Sequence, residues 1–297
     1  MRRFRIFTII LFIISVLSFV GYRYYTKGQR DTLPPTLTVP RTPLQVSVDA
    51  EEAELLEGVT AIDKVDGDLT KEVMIESIGP FDEEKNRTII YVVLDHAGNI
   101  ARATRQLTYK NYRSPRFSLE SPLIYGFTMN SSNITDVIEA EDIFDGDISG
   151  RVKISSKYHL KNDPGEYPME FTVTNSIGDT ASFTATITMP DLNDALSRAS
   201  ITLSDYLVYV KKGKNIDPWK YVDGITIGNR TYVRDGDRLV PENELESHAD
   251  SYSKTIEESD VKIKNPVKIK KPGCYEIKYS YKEDEEKTSV YLVVIVR

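Results

Sequence analysis

Two short stretches of the chain crowd carboxylates closely enough to do chemistry. Asp63-Lys-Val-Asp66-Gly67-Asp68 and Asp142-Ile-Phe-Asp145-Gly146-Asp147 each hold three acids within one tight loop. Hard oxygens so close together suit Ca²⁺, which takes about 6–8 oxygen ligands. The spacing is not that of an EF-hand, whose ligands stand at positions 1, 3 and 5 with a Glu at 12. Asp-Gly is also ordinary turn chemistry, because Gly supplies positive φ and Asp hydrogen-bonds its own backbone. A turn is therefore the leading reading, with weak calcium binding (Kd on the order of 10⁻⁴ to 10⁻³ M, as in extracellular modules) as the alternative.

Other reactive side chains do not converge in the sequence. Asp95-His96 is a poor acid–base pair, since adjacent strand or turn residues point apart and the matching positions later in the chain are Asn175-Ser176. The histidines, His96, His159 and His248, are far apart and lack metal-ligand spacing. Cys274 has no His or CxxC companion, and no Gly-rich phosphate loop, Ser-x-x-Lys or Gly-x-Ser-x-Gly motif is present. The chain reads as non-enzymatic. Val261-Lys-Ile-Lys264 and Val267-Lys-Ile-Lys270-Lys271 alternate aliphatic and basic residues, as in a strand with a Lys-guarded edge. A basic patch for teichoic acid or lipid headgroups is the lesser reading.

The elements that must hold these residues recur. The acidic stretches are offset by 79 residues, and Asp95-His-Ala-Gly98-Asn99 returns as Asn175-Ser-Ile-Gly178-Asp179 at an offset of 80. A repeat of this length means serial modules and not one site built across the whole chain. In the first, Thr88 to Leu94 and Ile100 to Tyr109 predict a hairpin. In the second, Tyr167 to Thr174 and Thr180 to Met189 predict its counterpart, with Phe171, Val173, Phe183, Ala185 and Ile187 alternating. A third, divergent module ends in Cys274 to Tyr281 against Thr288 to Val296. It keeps Arg234-Asp235-Gly236-Asp237 but has Tyr232 where the others place Asp, and its stretch Pro241 to Ser259 reads as a surface insertion.

The pattern Asp-x-x-Asp-Gly-Asp-[Leu/Ile]-[Thr/Ser], followed by Gly165-Glu-Tyr167 or Gly273-Cys-Tyr275 before a strand and by Asp95-x-x-Gly98-Asn99, is specific. It resembles the bacterial surface immunoglobulin-like repeats also found as accessory domains of pesticidal crystal proteins. Gly213-Lys-Asn-Ile-Asp217-Pro218-Trp-Lys-Tyr-Val222 resembles an early segment of the same family. The resemblance covers nearly all of residues 34–297, matching the third module only at its ends. It implies an all-β chain of tandem immunoglobulin-like sandwiches, each of seven strands, used as a stalk or binding module on Gram-positive surfaces.

Domain expectations follow: residues 1–30 as cytoplasmic tip and membrane anchor, 31–112 and 113–193 as immunoglobulin-like domains 1 and 2, and 194–297 as a divergent domain 3. A stretch after Arg5, running over residues 6–22, is apolar and ends in Tyr22, Tyr24 and Tyr25, an interfacial aromatic belt. No small-residue cleavage site follows, so an uncleaved span is expected, with the N-terminus inside and the modules outside. A single Cys excludes an intrachain disulfide. The whole chain carries a net charge of −7; six of its 38 Lys and Arg lie in the first 30 residues, leaving 32 bases against 45 acids beyond them. An acidic exterior gives no general attraction for nucleic acid. The expected role is a bacterial cell-surface protein presenting modules for adhesion, for a protein or glycan ligand, or as a stalk. An accessory subunit of a cell-envelope hydrolase or secretion complex is the alternative.

Overall fold

The computed structural model describes residues 2–28, 31–125, 134–155, 163–190, 199–247, 252–283 and 286–297. His159 and His248 lie outside the described residues. Arg2–Gly28 is one helix, α1. Phe4, Phe12, Leu17 and Tyr24 on it are all exposed, so its apolar surface is not buried by the protein. Ile6–Tyr25 is long and apolar enough to cross a membrane, spanning about 30 Å at about 1.5 Å per residue. Those properties fit a spanning helix and an export signal alike.

Strands make up most of the remainder, in two compact units, 1–112 and 113–297. The first unit has β1 (Thr36–Thr38), β2 (Leu44–Val46), β3 (Thr60–Asp63), β4 (Gly67–Asp68), β5 (Met74–Ile78), β6 (Asn86–Leu94) and β7 (Ile100–Tyr109). These form one sheet ordered β1-β3-β4 and another ordered β2-β7-β6-β5. The predicted hairpin is β6–β7, paired from Asn86↔Thr108 to Leu94↔Ile100. Ile89, Tyr91 and Val93 on β6 point inward at period 2 and meet Leu44, Val46, Ala61, Leu69 and Leu107 in one core. The Tyr91 hydroxyl, buried with them, donates to the Leu55 carbonyl at 2.7 Å. That bond pins the single helical turn Glu52–Leu55 (α2) beneath the sheet. β2 runs parallel to β7.

Two further sandwiches share the second unit. One has β8 (Arg116–Leu119), β9 (Ile138–Asp142), β10 (Gly146–Asp147), β11 (Lys153–Ile154), β12 (Gly165–Thr174) and β13 (Thr180–Met189). Its sheets are β10-β9-β8 and β11-β12-β13, and a parallel bridge from Ile124 to Thr188 stands where β2 meets β7 in the first sandwich. The other has β14 (Ser200–Leu203), β15 (Leu207–Val210), β16 (Val222–Ile227), β17 (Arg230–Asp235), β18 (Arg238–Pro241), β19 (Lys262–Lys264), β20 (Gly273–Glu283) and β21 (Glu286–Val296). Its sheets are β14-β16-β17-β18 and β15-β21-β20-β19, and β15 is parallel to β21. A single apolar cluster joins the two sandwiches, taking in Phe117, Phe171, Phe183, Ile225, Tyr279 and Leu292.

Two expectations for the third sandwich are corrected. Of the two Lys-rich stretches, Lys262–Lys264 is the edge strand β19, with Val261 buried and both lysines exposed. Val267 to Lys271 forms no strand, because Pro266 and Pro272 bracket it and Pro cannot donate to a ladder. The stretch Pro241 to Ser259 is also more than a surface insertion. Ile256 is fully buried and exchanges both backbone hydrogen bonds with Leu239, at 2.9 Å each.

Candidate functional site

Each acidic stretch folds into a hairpin turn between short strands, Asp63 pairing with Gly67 and Asp142 with Gly146. Gly67 and Gly146 take φ of 81° and 68°, a left-handed conformation that costs Gly little. The first Asp organises the turn. Asp63 Oδ1 accepts from the N–H of Val65 (2.7 Å) and Asp66 (2.9 Å), and Asp142 Oδ1 accepts from Phe144 (2.9 Å) and Asp145 (3.1 Å). The third Asp closes it, Asp68 accepting from the Thr70 N–H and Asp147 from the Ser149 N–H, both at 2.9 Å. Hydrogen bonds from the Thr70 hydroxyl and N–H hold the Asp68 carboxyl below its ordinary value, and Ser149 does the same for Asp147. Asp68 and Asp147 thus spend an oxygen on the chain just beyond them.

The middle Asp of each turn reaches the neighbouring hairpin. Asp145 accepts from the Ser176 N–H (2.7 Å) and hydroxyl (2.6 Å), and the Arg151 guanidinium pairs with it. The Ser176 hydroxyl first, then its N–H and Arg151, hold Asp145 below the usual carboxylate range against the opposing effect of burial. Asp142 Oδ2, buried, accepts from Asn175 Nδ2 at 3.0 Å. The second turn is therefore met by an amide donor on Asp142 and a guanidinium on Asp145.

At the matching positions of the first turn stand Asp95 in place of Asn175 and Glu72 in place of Arg151. Asp95 directs both oxygens to Asn99, at 2.7 Å to its N–H and to Nδ2. Burial would raise the Asp95 carboxyl, but the Asn99 side chain and the N–H groups of Asn99, Gly98 and Ala97 keep it low. Asp66 meets His96, through the backbone N–H at 2.9 Å and Nδ1 at 3.1 Å. A further acid arrives from the segment before β1: one carboxylate oxygen from each of Asp31, Asp63 and Asp66 lies within 4.8 Å of the others. Asn99 Nδ2 holds that segment by donating to the carbonyls of Asp31 (3.3 Å) and Leu33 (3.4 Å). Of the predicted acids, Asp63 and Asp66 come together with Asp31, which carries no local motif, while Asp68 is not in that group.

The remaining candidates have structural partners. Arg234-Asp235-Gly236-Asp237 is the β17–β18 turn, and the Asp237 carbonyl accepts from Trp219 Nε1 at 2.8 Å while Arg234 lies over the Trp219 ring. Cys274 Sγ faces the Thr184 carbonyl at 3.2 Å, and burial pushes its thiol up to about 11, so at neutral pH it is not the thiolate a nucleophile requires.

Neither a protein-family model nor a curated protein matches the sequence. Among solved structures the chain is similar to the M60 catalytic domain with the CBM51-1 and CBM51-2 domains from Clostridium perfringens ZmpB, at 13% identity and a TM-score of 0.21, over 90% of this chain and 31% of that one. It is also similar to N-cadherin EC1-4 from Drosophila (14%, TM-score 0.19, over 76% and 66%) and to a lipoprotein from Bacteroides thetaiotaomicron (11%, TM-score 0.21, over 60% and 98%). The chain spans about a third to a half of the ZmpB and protocadherin GammaB4 structures it matches. At these TM-scores the likeness assigns neither family nor function. Its own strands and sheets make the protein an all-β chain of tandem immunoglobulin-like sandwiches behind one apolar helix.

Proposed function

We propose that the chain is a non-enzymatic, membrane-anchored bacterial surface protein. In this reading α1 anchors it with the N-terminus inside, and the sandwiches stand outside as an adhesive or ligand-binding stalk for a protein or glycan. The seam inside residues 113–297 supports this most directly. There the Thr186 N–H and hydroxyl donate to Glu276 at 2.5 and 2.7 Å, Tyr291 donates to Glu166 at 2.6 Å beside the Lys278–Glu166 ion pair, and the Phe117 N–H donates to Tyr209 at 2.8 Å. With a continuous apolar cluster behind them, these ties fuse two sandwiches into one stiff length, which suits a part that holds binding loops away from a membrane. The third sandwich, with its anchored insertion, is the ligand-facing end.

Protease added to intact cells expressing the full chain should digest residues 31–297 and spare α1. Binding to cells or wall glycan should survive replacement of residues 2–28 by an unrelated membrane span and should fall when residues 199–297 are deleted. Protection from protease would overturn the topology. Loss of binding on the anchor swap alone would favour a subunit of an envelope complex, whose span makes specific contacts.

A further inference from the structure

We propose that the first sandwich binds one calcium ion between Asp31, Asp63 and Asp66, and that the second sandwich, despite its matching Asp-x-x-Asp-Gly-Asp, binds none. Two observations meet here. Asp31 Oδ2 is buried and receives no hydrogen bond, while Asp31 Oδ1 accepts from the Leu33 N–H at 3.1 Å. An orphaned buried carboxylate oxygen is costly unless a cation answers it. Asp31, itself half-buried, belongs to a group in which one carboxylate oxygen from each of Asp31, Asp63 and Asp66 lies within 4.8 Å of the others, with Asp63 only 4% exposed.

The second sandwich supplies the internal control. Asn175 Nδ2 donates to Asp142 and the Arg151 guanidinium pairs with Asp145 there. The first sandwich replaces these two groups with Asp95 and Glu72, and the basic side chain on Asp66 is His96. One module sets a guanidinium and an amide donor against its turn, and the other sets further carboxylates there. Three carboxylates leave much of a calcium shell to carbonyls and water, so a Kd on the order of 10⁻⁴ to 10⁻³ M is expected. The inference does not depend on the adhesive role, and its test reads metal binding alone.

The full chain in detergent, stripped with chelator, is titrated with CaCl₂ by calorimetry in potassium chloride and then with MgCl₂. Saturable binding of one calcium per chain is expected, with magnesium weaker. Asp31→Asn should weaken calcium at least tenfold, and Asp66→Asn should confirm the loss in a second variant. Asp147→Asn should leave binding unchanged. Calcium should also raise the unfolding midpoint of the wild type by several degrees and leave that of Asp31→Asn unmoved. No binding at about 10 mM calcium, binding unaltered in Asp31→Asn, non-saturable uptake by the acidic surface, or two ions per chain of which one is lost with Asp142→Asn would each overturn the proposal.

Discussion

The first and second sandwiches carry nearly the same acidic turn, yet its carboxylates meet different partners. In both, the first Asp caps the backbone two and three residues on, and a left-handed Gly completes the reversal. In the second, Asn175 and Arg151 fill the remaining valences; in the first, Asp31 is brought in and no guanidinium is. Backbone form is thus fixed inside the motif, and charge balance is fixed outside it. The two sandwiches also differ in company, since the second shares its core with the third while the first has a core of its own.

The largest effects should test that difference in company. Phe171 is fully buried in the second sandwich and stacks on Phe183, so Phe171→Ala should cost about 3–5 kcal/mol. Trp219, the one tryptophan, is buried in the third sandwich. Its fluorescence in a denaturant titration should move to lower midpoint in Phe171→Ala and stay in place for Tyr91→Ala, which removes a core ring of the first sandwich. Movement of the Trp219 transition by Tyr91→Ala, or indifference to Phe171→Ala, would break the grouping.

Next comes the turn itself. Asn175→Asp gives the second sandwich the acid of the first, setting an acceptor against Asp142 where a donor stood. A loss of about 1–3 kcal/mol is expected from the unpaired buried oxygens, read from the same Trp219 curve. Arg151→Ala should cost less, about 0.5–1 kcal/mol, because the guanidinium is half exposed and its pair with Asp145 is screened; the loss should shrink in high salt.

The smallest effect concerns pH. Burial, with the Glu166 charge adding to it, raises the Glu276 carboxyl above its ordinary 4.5 although Thr186 opposes this. A raised carboxyl contributes nothing below its unfolded value and destabilises progressively as the pH climbs from there through its folded value. Asp145 and Asp147 are held low, so their stabilisation is present above the unfolded value and is lost as the pH falls through the folded one. Glu276→Gln keeps an acceptor for Thr186 and should flatten the decline on the alkaline side of 4.5 in a midpoint-against-pH profile, leaving the acid limb in place.

What the sequence revealed follows from range. Both acidic turns and the β6–β7 and β12–β13 hairpins were legible because turn residues and alternation act over a few positions. Asp31 was not, because its contact with Asp63 spans 32 residues and the segment it sits in has no periodicity. The Asp95/Asn175 and Glu72/Arg151 exchanges stood at the repeat offset in plain view. Their meaning appears only when Asn175 and Arg151 are seen bonded to Asp142 and Asp145. Ile256 was hidden by polar neighbours, since one buried residue in a polar stretch makes no pattern.

The parallel pairing of β2 with β7 and of β15 with β21 has a mechanical consequence. An early strand of each of these sandwiches lies alongside its last strand and runs the same way, so tension between the two ends drags the strands past each other lengthwise. Their slanted hydrogen bonds then bear the load together in shear and cannot be peeled one at a time. Rupture must break the whole ladder in a single event, which slows forced unfolding and lets a tethered chain of such modules stay folded under drag.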